Sequence, residues 1–154
     1  MLSKKIQEFL KDREFISVAT SDFNGRPNAA PKFVLKIENN FIYLVDYSLS
    51  RTWENLKANP RVSLSFVDTE TLSGYQINGP VEIVDKGAAY EKLLNELREK
   101  EISLSVKRII EGVHKEKSHQ SFEVSIPERF AIFKVKMEEI AEIGPKGEVK
   151  REKV

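Results

Sequence analysis

The sequence predicts a mainly β protein with short helices, in which antiparallel strands close or nearly close into a barrel. Three observations carry this. About six short apolar or alternating segments recur at strand length. Turn residues such as Asn24-Gly25 and Glu38-Asn39-Asn40 separate them at hairpin spacing. The strands cluster early and return near the end of the chain, and closure would remove the exposed sheet edges.

The elements follow in order. Ser3 precedes a helical pattern over residues 4–12, with Ile6, Phe9 and Leu10 on one face and Ser3 placed as its cap. Phe15 to Thr20 reads as a strand. The Asn24-Gly25 turn leads into a second strand from Asn28 to Ile37, where Pro31 marks a bulge or an edge position. Phe41 to Asp46 is the third strand. Ser50 then caps a helix over 51–58, with Trp53 and Leu56 inward and Asn59-Pro60 as its stop. Val62 to Val67 alternates with period 2. Tyr75 to Val84 follows, with Gly79-Pro80 signalling a bulge or a close backbone approach. Residues 87–100 and 103–112 read as two helices, and 113–122 as polar and irregular. Phe130 to Lys136 is a final strand, which Ile140 and Ile143 extend past a kink. Lys146 to Val154 is mostly charged and reads as a disordered tail.

Composition narrows the function. The chain has 154 residues, enough for one domain, with 25 basic against 24 acidic side chains. A net charge of +1 argues against a broad nucleic-acid or anionic-membrane surface. With no cysteine, thiolate catalysis, disulfides and Cys-based metal sites are excluded. No apolar run reaches the roughly 18–20 residues of a membrane span, and the N-terminus lacks a signal-peptide core, so a cytoplasmic protein is the default.

The most informative join is Asp46-Tyr47-Ser48-Leu49-Ser50-Arg51-Thr52. It carries an apolar strand into a helix start furnished with hydroxyls and a guanidinium. Unpaired N–H groups and the helix dipole favour an anion there, and such side chains suit a phosphate. Taken alone the triplet also reads as an ordinary cap with an exposed arginine.

The order of Ser17 to Thr20, Asn24 to Pro27, Ala29 to Phe33, Phe41 to Val45, Ser50 to Thr52 and Asn59 to Val62 resembles the FMN-binding split-barrel family, the pyridoxamine 5'-phosphate oxidase-like flavoproteins. Gln76 to Gly79 and Phe130 to Val135 fit the same layout, so the likeness covers about two thirds of the chain. It implies a six-stranded antiparallel Greek-key split β-barrel over residues 1–145, with 86–125 as a helical insertion. It also implies a homodimer with FMN at its interface. By the same resemblance, Ala30, Pro31, Lys32 and Phe33 line the flavin, and Val45, Asp46 and Tyr47 pass near the ring and ribityl chain. Ser50, Arg51 and Thr52 hold the phosphate, and Asn55 faces the same cavity one helical turn on.

Two departures set the limits. Relatives that oxidise pyridoxamine phosphate carry two adjacent basic residues at the triplet, where this chain has Arg51 and Thr52. They also carry an Arg/His-rich C-terminal segment that is not found here, which argues against vitamin B6 oxidase activity.

Several residues keep a plainer reading. Lys32 is either beside the ring, stabilising negative charge, or a solvated lysine of an edge strand; alternation leaves both open. Trp53 reads as core packing, and Asp46 and Tyr47 also as strand-end polar residues. His114 and His119, at i, i+5, do not share a helical face and read as a solvated segment without a third metal ligand. No nucleophile elbow, Walker loop or dinucleotide fingerprint is present.

The resulting expectation is an FMN-dependent oxidoreductase that passes electrons or hydride between the flavin and a small-molecule substrate or a donor such as NAD(P)H. The rivals are a non-catalytic FMN binder or electron carrier, a split barrel using a deazaflavin or haem, and a cofactor-free interaction domain.

Overall fold

The structure is a computed structural model that describes residues 2–114 and 129–154. Its elements are α1 (Lys4–Lys11), β1 (Phe15–Ser21), β2 (Pro27–Glu38), β3 (Phe41–Asp46), α2 (Arg51–Ala58), β4 (Arg61–Asp68), β5 (Ser73–Val84), α3 (Gly87–His114), β6 (Ala131–Lys136), β7 (Glu139–Ile143) and β8 (Val149–Lys153).

The antiparallel sheet runs β4-β1-β2-β3-β6-β5, and a β4–β5 pairing closes it into the predicted six-stranded barrel. β7 and β8 continue from β5 as a flap outside that ring. Alternation puts Ile16, Val18, Val34, Leu44, Leu64, Ile77 and Phe133 inside, each at most 3% exposed. Ser3 Oγ accepts from Ile6 N at 3.3 Å, the cap expected for α1.

Among the described residues the ring has a gap between β2 and β3. β2 pairs with β1 from Pro27 to Phe33, whereas its pairing with β3 begins only at Phe33. Among the described residues, 27–32 therefore have a strand on one side only. Pro31, which lacks an N–H, stands in this edge portion in regular register with Ser17. The irregularity in β2 lies instead between Val34 and Lys36.

Three further differences from the sequence reading have physical causes. Residues 87–114 form one helix, not two. Its inward face carries Leu93, Leu97 and then Glu101, and the buried carboxylate interrupts the apolar stripe that marks a helix face in sequence. Nor is the tail disordered. Gly147, at φ +84, completes a turn in which Gly144 N donates to Glu148 O at 2.8 Å, and β8 then pairs along β7. Its five side chains are exposed, so backbone pairing holds it without an alternating pattern. Finally, β5 changes partners at Gly79-Pro80, and a Cβ on Gly79 would collide with the carbonyl oxygen of Lys136.

α3 packs across the outer face of the sheet, where Phe33, Leu35, Tyr43, Val45, Val84 and Ile132 meet Leu93 and Leu97 in a second core. No helix of the described residues is long and apolar enough to cross a membrane.

Candidate functional site

α2 packs against β1, β2 and β5, beside the edge portion of β2. Its buried face carries Thr52 and Asn55. Asn28 Nδ2 donates to Thr52 Oγ1 at 3.2 Å, and Asn55 Nδ2 donates to Thr20 Oγ1 at 3.1 Å. These two bonds dock the helix on β1 and β2. The Thr52 and Asn55 side chains, expected at the phosphate and its cavity, are thus turned to the barrel, and Thr52 meets the helix start with its N–H.

Ser50 and Arg51 are the exposed side chains of the triplet. Ser50 holds the N-cap position at φ −106 and ψ −137, and its side chain makes no capping hydrogen bond. The residue before it, Leu49, has φ +47 and packs against the barrel core. A left-handed leucine is held there by its surroundings. Its effect is to turn Ser50 away from the cap, so the first N–H groups of α2 lack their usual side-chain acceptor.

The loop is tied to a buried ion pair, Lys32 with Asp46. Lys32 shares the inward face of β2 with Val34 and is only 8% exposed, so it is not the solvated lysine of an edge strand. Its Nζ donates to Asp46 Oδ1 at 2.8 Å and to Ser48 Oγ at 3.3 Å. Asp46 Oδ1 also accepts from Ser48 N at 3.2 Å and Ser48 Oγ at 2.9 Å. Asp46 Oδ2 is buried with no partner among the described residues. These bonds fix the exit of β3 into the loop that presents Ser50.

The remaining expected residues divide between two faces. Ala30 lies partly buried on the inward side of β2 and Pro31 is exposed. Phe33 and Val45 are packed beneath α3, where their side chains meet no open surface. The Tyr47 ring packs tilted against Phe33 and Phe130 at centroid distances of 6.5 and 6.4 Å, and its hydroxyl donates to Glu101 Oε1 at 2.7 Å. Burial, then the Glu101 carboxylate, push the Tyr47 hydroxyl's pKa well above the usual phenol value.

A family model described as pyridoxamine 5'-phosphate oxidase matches residues 2–144. The chain belongs to the pyridoxamine 5'-phosphate oxidase family. Among proteins similar to this member, the heme oxygenase HutZ of Vibrio cholerae is 31% identical over 70 residues, covering 46% of this chain but only 39% of HutZ. A Clostridium acetobutylicum protein related to general stress protein 26 superposes with TM-score 0.70 at 20% identity, over 97% of this chain and 92% of that one. A Nostoc punctiforme protein described as pyridoxamine 5'-phosphate oxidase-related and FMN-binding gives 0.59 at 14% identity, over 96% and 91%. Likenesses at these identities establish the fold.

In this family member, sequence reasoning missed Asn28, Thr20, Ser48 and Glu101. Ser48 had a signal, since a serine two residues past an aspartate is a common Asx-turn partner. Glu101 had none, because its partner Tyr47 is far away in sequence. His114 ends α3, and His119 falls outside the described residues.

Proposed function

We propose that this protein binds FMN and works as an oxidoreductase, with the phosphate held at the start of α2. The supporting observation is the uncapped, exposed Ser50-Arg51 helix start, kept open by the left-handed Leu49. Ser50 Oγ, the Arg51 guanidinium and the first N–H groups of α2 form a donor set matched to a phosphate dianion. The edge portion of β2, with the backbone of Ala30 to Phe33, and the half-buried Tyr47 just past the end of β3 are nearest in sequence and pairing for the rest of the cofactor. Lys32, bonded to Asp46, acts by holding the loop and not by direct contact. Bound FMN would supply hydride or electron transfer; the chain's part is to bind and orient it.

The outer face of β1 and β2 supports a homodimer. Phe15 is 53% exposed, and Ala19, Ala29 and Pro31 are exposed beside it. This small-residue and apolar surface suits a second copy that would also shield the ring. A cytoplasmic setting, and a small-molecule substrate or NAD(P)H as electron donor, complete the proposal.

A second reading is haem, favoured by the similarity to HutZ. It would leave the phosphate donor set unused.

The deciding experiment is an absorption spectrum of the purified protein, taken as isolated and after FMN addition and gel filtration. Retained flavin bands are expected, followed by turnover with NADH or NADPH. A Soret band without flavin uptake would transfer the assignment to haem, and flavin retention without any turnover would make the protein a carrier.

A further inference from the structure

We infer that Glu101 of α3 is a positioning residue for the phosphate cradle and acts through Tyr47. This rests on the cofactor reading above and identifies what controls that site.

Glu101 is only 7% exposed, and its Oε1 accepts the Tyr47 hydroxyl at 2.7 Å. Tyr47 lies between Asp46, which the Lys32 pair anchors, and the Ser48-Leu49-Ser50 turn. Next to Glu101, Lys100 Nζ donates to the carbonyls of Val34 and Leu35 at 2.6 and 2.9 Å, at the irregularity in β2. Lys36 Nζ lies 2.9 Å from Glu96 Oε2, and Arg108 lies 2.7 Å from Glu14. These contacts fix α3 along β2 and at the start of β1, so the carboxylate of Glu101 is a stationary acceptor rather than a mobile one.

The loop is thereby held at two points. Leu49 is packed inward at φ +47, and Tyr47 is tied outward to α3. Leu49 keeps an unfavourable backbone angle while both ties hold. Releasing Tyr47 lets Leu49 relax toward ordinary angles. Ser50 can then rotate to the usual N-cap position and bond the helix N–H groups, as serine does at most helix starts. Capping and anion binding compete for the same donors, so loss of the Tyr47–Glu101 bond closes the cradle.

The test uses the full chain with three substitutions, Glu101→Gln, Glu101→Leu and Tyr47→Phe, and the Tyr47→Phe/Glu101→Leu pair. Two measurements are made: FMN affinity by titration, and amide hydrogen exchange of residues 48–53 without ligand. Glu101→Leu and Tyr47→Phe should each weaken FMN about tenfold, the scale of one hydrogen bond to a charged group. They should also slow exchange at the amides of α2's first turn as Ser50 caps them. Glu101→Gln keeps an acceptor and should stay within about threefold of wild type. The pair should lose no more than the weaker single variant, since both remove one bond. Unchanged affinity and exchange in Glu101→Leu, with the chain folded by thermal melt, overturns the inference, as does a Glu101→Gln variant that falls as far as Glu101→Leu. A wild type that takes up no FMN refutes the cofactor reading instead, and the exchange rates still decide the positioning.

Discussion

Lys32 Nζ sits 2.8 Å from Asp46 Oδ1 at the end of the barrel, with Asp46 fully buried and its second oxygen without a partner among the described residues. A buried pair of this kind is costly to break one-sidedly, because the surviving charge is stranded. Lys32→Met should therefore destabilise the fold by about 3–5 kcal/mol in urea unfolding. The double variant Lys32→Met/Asp46→Leu should recover most of that loss. A single variant within about 0.5 kcal/mol of wild type would mean that the pair is solvated or unformed.

Ser50 and Arg51 should separate binding from stability. Arg51→Ala should weaken FMN by about 1.5–3 kcal/mol, the range for a charge-assisted contact. Ser50→Ala should weaken FMN while changing stability by less than about 0.5 kcal/mol, because its side chain makes no cap bond to lose. A working N-cap serine would cost about 1 kcal/mol on the same replacement. Calorimetric melts beside FMN titrations distinguish these outcomes.

Tyr47 gives a pH signature. Its folded-state pKa is raised by burial and by Glu101, so its contribution to stability is complete below the unfolded phenol value of about 10. As pH rises past that value the unfolded chain loses the proton first, and stability falls until the folded pKa is passed. Urea midpoints between pH 9 and 11 should decline more steeply in wild type than in Tyr47→Phe. Parallel declines would show that Tyr47 titrates normally.

Gly79 should tolerate no side chain. A Cβ there would overlap the Lys136 carbonyl, which is backbone and cannot swing aside. Gly79→Ala should cost about 1–3 kcal/mol or more by overpacking, read as a lowered midpoint of thermal unfolding. Gly25→Ala meets no neighbour but sits at φ +78, so its cost should come from backbone strain alone.

How much of this was legible depends on which force held each part. β3 and α2 match their expected limits, because an apolar run and an Asn-Pro stop are local signals. β8 was not legible, since its five exposed side chains carry no alternation and only the ladder to β7 fixes it. α3 was read as two helices because its apolar side changes. Leu93 and Leu97 face the sheet, Glu101 replaces an apolar residue there, and Ile102, Val106 and Ile110 lie on the exposed side. Near the candidate site, the helix start with Ser50 at its N-cap position was legible from residue type and position. The inward turn of Thr52 and Asn55 was not, because it rests on bonds to Asn28 and Thr20 across the barrel. Lys32 went unresolved for the same reason, as its partner Asp46 is on another strand.

The most direct test of the phosphate cradle compares FMN with riboflavin, which has the same ring system and ribityl chain but no phosphate. Titrated into the apoprotein, FMN should bind at least about tenfold more tightly, as expected for charge-assisted contacts to a phosphate. That preference should shrink in Arg51→Ala. Equal affinity for the two, or uptake of neither, would contradict the assignment of the α2 start as a phosphate site.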